Sequence, residues 1–232
     1  MSRSNPTTEN VSIPVKSWFE WAGGKDGGYL KYYNGEKNVQ VKPPFKFLVL
    51  DIRSSVTGWD DNSESGIYAN HVKFLNEEAL SVRSFKGGEL VSGLYKDIKS
   101  DIINRGGKYC KSVFIAYMDS DTNRFEIGNL QLKGSAAHAW TEFSNDNKGR
   151  LYDDAVVLDG SKDGKKGSIK YKTPTFSLSN ATDEDGATAS ELDKQLQAYF
   201  KVESSKSEFA ENPEQEDVST ASPEVELDDL PF

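Results

Sequence analysis

The 232-residue sequence contains one cysteine, Cys110, and two histidines, His71 and His138. A single thiol forms no intramolecular disulfide, which suits a reducing compartment. Three such ligands are too few for a four-coordinate structural zinc site, so no metal or other cofactor is expected. Long apolar runs are missing as well. Nothing approaches the ~18 consecutive apolar residues of a membrane-spanning helix, and the opening MSRSNPTTENVSIP has no signal-like apolar stretch. A soluble, cytosolic-type protein is the expectation. Apolar residues make up 36% of the chain and mean hydropathy is -0.65, so part of it is expected to lie outside any core.

Bases are scarce at one end only. From Asp183 onward 15 acids stand against 3 bases, a net charge of -12, whereas residues 1–182 carry +3 of the overall -9. A mildly basic body with a strongly acidic extension points toward nucleic acid, although an acidic tail can also serve solubility alone.

Signals for catalysis are thin. Asp119-Ser-Asp121-Thr-Asn123 opens like a calcium loop, but Arg124 takes the sixth place and Leu130 the twelfth. Asp159–Gly164 has its glycine in the sixth place, yet Lys170 stands where a bidentate carboxylate is required. Both read as polar turns. Gly23-Gly24-Lys25-Asp26-Gly27-Gly28 lacks the Ser or Thr and the strand–loop–helix setting of a phosphate loop. A Cys–His nucleophile pair has no local signature. Asp51 with the Asp60-Asp61 pair is the remaining candidate, as magnesium ligands of a nuclease, and solvated strand-end acids explain these residues more simply. The sequence therefore reads as a binding protein rather than an enzyme.

Short β-like runs fill the body: 29–33, 39–41, 45–56, 67–75, 80–85, 111–118, 125–132, 155–158 and 168–177, each rich in β-branched or aromatic residues and bounded by turn formers. Leu94, Ile98 and Ile102 predict a helix ended by Gly106-Gly107, and a second covers about 135–143. Such a pattern favours a small barrel or sandwich with additions, mainly β with a few helices. Residues 1–12 read as a flexible start and 13–180 as the body. A break at 180–186 is followed by an amphipathic helix over 190–202, with Ser190 and Asp193 as its capping box. Residues 203–232, with 10 acids and 1 base, cannot offset their ordering entropy and read as disordered.

Aromatics are 11% of the chain, and many stand beside Lys or Arg. Strand periodicity puts Tyr29, Lys31 and Tyr33 on one face, with Leu30 and Tyr32 on the other. Flat rings for bases and a cation for the backbone are what a single-stranded nucleic acid needs. Lys42, Lys46, Arg53 and Trp59 extend the theme, as do Arg83, Phe85, Lys86, Lys170 and Lys172. Trp18, Phe19 and Trp21 are expected to pack.

The chain closes with Asp228-Asp229-Leu230-Pro231-Phe232, an apolar tip behind acids. These residues resemble the terminal motif of single-stranded DNA-binding proteins, and the longer body is more similar to a divergent, phage-type member. The resemblance implies an OB-fold, a five-stranded Greek-key barrel, here with extra strands and helices. It implies DNA replication, recombination or repair as the setting, in the cytoplasm of a bacterial host. It also implies a tail whose tip recruits partner proteins of those processes. Phe232 would fill an apolar pocket on the partner, and Pro231 would lower the ordering cost. An adaptor or decoy that displays the tip without binding DNA is the alternative.

Overall fold

The structure, a computed structural model, describes the backbone of residues 12–210 and the side chains of residues 12–203. Its strands are β1 (Ser17–Ala22), β2 (Tyr29–Tyr33), β3 (Asn38–Val41), β4 (Phe45–Asp60), β5 (Ser65–Ala69), β6 (Leu80–Ser84) and β7 (Gly88–Gly93). Helix α1 (Tyr95–Asn104) leads to β8 (Gly107–Asp119) and β9 (Arg124–Leu132). Helix α2 (Ser135–Asp146), β10 (Ala155–Lys166), β11 (Ile169–Ser179) and α3 (Asp183–Ala210) complete the chain. The molecule is thus mainly β. The two strands absent from the sequence reading are β1 and β7.

All the strands belong to one sheet, in the order β3-β2-β1-β9-β8-β4-β5-β6-β7, with β10 on the first part of β4 and β11 beyond it. Every pair is antiparallel except β1 with β9. The hydrogen-bonded path does not close on itself. Its open side is spanned at one point, where Lys172 donates its backbone N–H to the Gly23 carbonyl at 2.8 Å and Gly24 bridges Tyr171.

Strand β4 organises the sheet. Its first part lies between β8 and β10, its last residues between β8 and β5. Covered on both faces, Phe47–Leu50 is a continuous apolar run rather than an alternating one. A bulge between Val49 and Asp51 then shifts the phase, so that Ile52 rejoins the face of Val49.

The inner face packs Phe19, Trp21, Leu30, Phe47, Val113, Leu130 and Leu158 around Trp140 of α2, which is fully buried. A second cluster lies under α1, where the Ile98 and Ile102 stripe meets Val56, Leu80 and Val82. A third lies on the outer face, where Leu196 and Phe200 of α3 cover Leu48, Leu50, Phe114 and Ala116.

Helix α3 is longer than its apolar stripe predicts, at both ends. Thr182 and Asp185 form its capping box: the Asp185 N–H donates to Thr182 Oγ1 at 3.1 Å, and the Thr182 N–H to Asp185 Oδ2 at 3.3 Å. Asp183, Glu184 and Asp185 in the first turn suit the positive end of the helix dipole. Ser190 is therefore mid-helix, donating to the Gly186 carbonyl, and does not cap. The backbone stays helical through Ala210, eight residues into the segment read as disordered; residues 211–232, with the terminal motif, lie outside the described residues, as do residues 1–11. Among the described residues no helix is long and apolar enough to cross a membrane.

Two of the acids considered for metal binding are structural. Asp51 accepts from Arg53 Nε at 2.8 Å and from Gln197 Nε2 at 3.4 Å, and the Arg53 guanidinium lies 3.5 Å from the centroid of the Phe200 ring. Asp60 accepts from the backbone of Asn62 and Ser63 and closes the β4–β5 turn. Asp119 does the same for the β8–β9 turn, whereas Asp159–Gly164 is no turn and runs within β10. Breaking a buried ion pair leaves its partner uncompensated, so Asp51→Ala is expected to cost about 3 kcal/mol. Chemical denaturation should show the midpoint falling at unchanged slope. An unchanged midpoint would remove the pair from the interactions that hold α3.

Candidate nucleic-acid interface

Residues directly opposite in a ladder share a face, so the strand registers place the outer side chains in rows. One row runs Lys108 (β8), Thr57 (β4), Tyr68 (β5), Arg83 (β6). A second runs Lys31 (β2), Glu20 (β1), Gln131 (β9), Ser112 (β8), Arg53 (β4). A third joins Trp18, Asn129, Phe114 and Asp51. Helix α3 covers this face as far as Phe114 and Arg53. Beyond them it is open.

The open half is a cleft of about 770 Å³ floored by Ser55, Thr57, Lys108, Gln131 and Lys133 and walled by Trp18, Trp59, Tyr68, His71 and Phe85. Its rings are unusually available: Trp59 is 56% exposed and Phe85 74%. Phe85 stacks on Tyr68 at 4.6 Å between centroids, and Trp18 stacks on His71 at 5.9 Å. Phe85 also lies against Gly66, where a β-carbon would sit 3.2 Å from its ring. Trp59 is placed by a close backbone crossing. Any β-carbon on Gly58 or Gly106 would collide with the backbone opposite, and Gly106 has φ +85°.

Cations alternate with these rings. Lys133 Nζ is 2.5 Å from Glu20 Oε1, and Lys31 Nζ is 3.0 Å from Oε2. Partial burial alone would raise the Glu20 carboxyl, but the two lysines outweigh it and hold it below the usual carboxylate range. Beneath them Cys110 is fully buried, and desolvation pushes its thiol up to about 12. A thiol held protonated in this way is not a nucleophile. Among the described residues no group of three or more His, Cys, Asp or Glu is placed to hold a metal ion.

The structure gathers some of the residues singled out in the sequence and disperses others. Trp59 and Phe85 line the cleft, and Arg83 lies beside Tyr68 in the same row. Tyr29, Lys31 and Tyr33 share one face of β2, opposite buried Leu30, and Tyr32 packs on the inner core. Lys86 is exposed in the turn after β6, and Lys42 is exposed just beyond β3. Lys46 points to the half covered by α3 and donates to the Asn180 carbonyl. Arg53, tied to Asp51 and Phe200, is withdrawn from the cleft. Lys170 and Lys172 stand together on the β10–β11 hairpin.

Residues missed by sequence reasoning are Trp18, Tyr68, His71, Lys108, Gln131 and Lys133. The Ser17–Trp21 alternation was a usable signal: Phe19 and Trp21 do pack, which turns Trp18 and Glu20 outward. Lys108 and Lys133 carry no such signal, because only strand pairing brings them together. No family model, no curated protein and no solved structure matches the chain.

His71 reports on this wall. Burial, with the charge of Arg53 adding to it, pushes the imidazole down to about 4. The folded state therefore holds the ring neutral where the unfolded chain, near 6.5, takes up a proton. This contribution to stability is complete above about pH 6.5 and is lost as pH falls toward 4. Acidifying from about pH 7 to pH 5 is expected to cost roughly 1–2 kcal/mol through this group. Denaturation curves of the wild type and His71→Gln at the two pH values should differ by that amount; equal pH dependence would show the ring free to protonate.

Proposed function

We propose that the chain is a sequence-nonspecific single-stranded DNA-binding protein that coats and protects DNA strands during replication, recombination or repair. The observation that carries this reading is the cleft, where three exposed aromatic side chains, Trp59, Tyr68 and Phe85, stand with half-buried Trp18 among Lys108, Lys133 and Arg83. Apolar rings exposed on a folded surface carry a cost that a ligand offsets. Bases are flat, and stacking them on rings is indifferent to sequence, while lysines meet the phosphates.

An OB-type core is the architecture that fits this use. The succession β4, β8, β9, α2, β10, β11 supplies five strands and one helix, and the contact of Lys172 with Gly23 brings the open side together. In OB-folds oligonucleotides lie across the second and third strands. With β4 counted first, those are β8 and β9, which carry Lys108 and Gln131 of the cleft floor, with Lys133 directly after β9. β5, β6 and β7 with α1 form a long insertion between the first two strands and provide Tyr68 and Phe85.

The terminal Asp228-Asp229-Leu230-Pro231-Phe232 is proposed as the ligand of replication, recombination or repair proteins. Its acids suit a basic rim around an apolar pocket. Removing residues 211–232, which leaves α3 whole, is expected to abolish capture of such partners and to maintain or strengthen DNA binding. A truncated chain that lost DNA binding would contradict this division of labour.

Titration with oligo-dT is expected to quench tryptophan fluorescence, with affinity falling as salt rises. Trp59→Ala and Phe85→Ala should each weaken binding by about 1–3 kcal/mol, as for a lost base stack. The absence of a saturable signal at low salt would overturn the reading.

A further inference from the structure

Strand β10 pairs with β4 only over Ala155–Leu158; beyond that, apart from the Gly24–Tyr171 bridge, β10 and β11 pair with each other and form a two-stranded arm. Between Ser161 and Lys172 the arm carries five lysines and one acid, Asp163. That acid is taken by Lys172, whose Nζ lies 2.9 Å from Oδ1. Lys165 and Lys170 stand directly opposite each other in the ladder. Both are exposed, and neither makes an ion pair among the described residues. Like charges opposed in a ladder destabilise it. An arm built this way is relieved by an anion.

The arm is also held in place. Trp21 Nε1 donates to the Lys172 carbonyl at 2.9 Å, and the Lys172 N–H donates to the Gly23 carbonyl. Tyr171 lies over Gly164, where any β-carbon would strike its ring. Lys25, on the turn between β1 and β2, joins Lys165, Lys170 and Lys172 around a second cleft of about 400 Å³. An arm whose backbone is held in this way loses less entropy when its lysines bind.

We propose that this arm is a second nucleic-acid site, one that clamps the sugar–phosphate backbone of the strand outside the aromatic cleft. It rests on the DNA-binding reading above. The occupant follows from continuity: the turn that carries Lys25 leads directly into Tyr29 and Lys31, on the same face as Glu20 and Lys133. A strand leaving the cleft past Lys31 meets the arm next. The chemistry differs between the two sites. The arm offers cations and one ring already seated on a glycine, so it binds phosphates whatever the bases are. It therefore adds length and salt dependence, not stacking.

The test compares oligo-dT of about 6 and about 20 nucleotides, a span bracketing common single-domain site sizes. Lys165→Gln combined with Lys170→Gln should leave the short oligomer's affinity unchanged. It should weaken the long one on the order of tenfold near 0.1 M salt and reduce its log–log salt slope by about 1.4, as for two lost phosphate contacts. Lys165→Glu serves as the second variant. By pairing with Lys170 it should raise the thermal midpoint while weakening the long oligomer, a combination no loss of fold produces. Equal losses at both lengths would place the arm inside the cleft's own site and overturn the proposal. So would an unchanged long-oligomer affinity, or a tighter one, which would show the arm holding the chain's own acids instead. If the wild type binds neither length, the functional reading falls and the arm's role with it.

Discussion

The pairing of β4 with β8 is the constraint on which the rest of the molecule depends. It runs from Phe47 opposite Tyr117 to Gly58 opposite Gly107, broken once by the bulge at Val49–Asp51. Its inner side chains close the main core with Trp140 at one end and the α1 cluster at the other. Its outer side chains divide the sheet's other face. Leu48, Leu50, Phe114 and Ala116 are apolar and demand a cover, which α3 provides. Farther along, Thr57 and Lys108 are polar and demand none. A single ladder thus decides where the protein is sealed and where it stays open.

The boundary between the two halves is an ionic and aromatic cluster rather than a hydrophobic seam. Arg53 is clamped between Asp51 and Phe200, Phe200 packs edge-on against Phe114, and His71 is wedged between Phe114 and Trp18. Each group is satisfied by one that faces the other way. Asp51 ties the strand to Gln197 of the helix, and His71 ties Phe200 of the helix to Trp18 of the cleft. The cleft's wall and the seating of α3 are in this sense the same set of contacts, and disturbance of either reaches the other through at most two side chains.

Much of the fold was legible in the sequence because it rests on local pattern. Nine of the eleven strands fall on runs of β-branched and aromatic residues, and α1 follows from Leu94, Ile98 and Ile102 spaced on one helical face. β1 was obscured because Trp18, Phe19 and Trp21 look uniformly apolar; the alternation is visible only once Glu20 marks the outer side. The full length of α3 was hidden because Gly186 and the acids around it read as a break, whereas Thr182 and Asp185 use those acids to start the helix. The site was legible only in part. Aromatic–cation neighbours in sequence identify Tyr29–Tyr33 and Arg83–Phe85, but Lys108 with Thr57 and Tyr68 is a row across three strands. Arg53 shows the converse error: a cation in a basic stretch is drawn inward by an acid two residues away.

The charge distribution separates what the cleft offers from what the arm offers. Glu20 already engages both Lys133 of the cleft floor and Lys31 beside the cleft, so both cations enter any encounter with a polyanion partly neutralised. A phosphate must compete with a fixed carboxylate there, and the gain per contact is smaller than a bare lysine would give. Under the proposed function the rings then carry more of the binding, and stacking is insensitive to salt where counterion release is not. On the arm the balance is reversed, since Lys165 and Lys170 oppose each other and the one nearby acid, Asp163, is already bonded to Lys172. On the proposed reading, a body of only +3 holds a polyanion without a uniformly basic surface. It places rings where its charges are spent and concentrates unspent charge on a two-stranded arm at the edge of the fold.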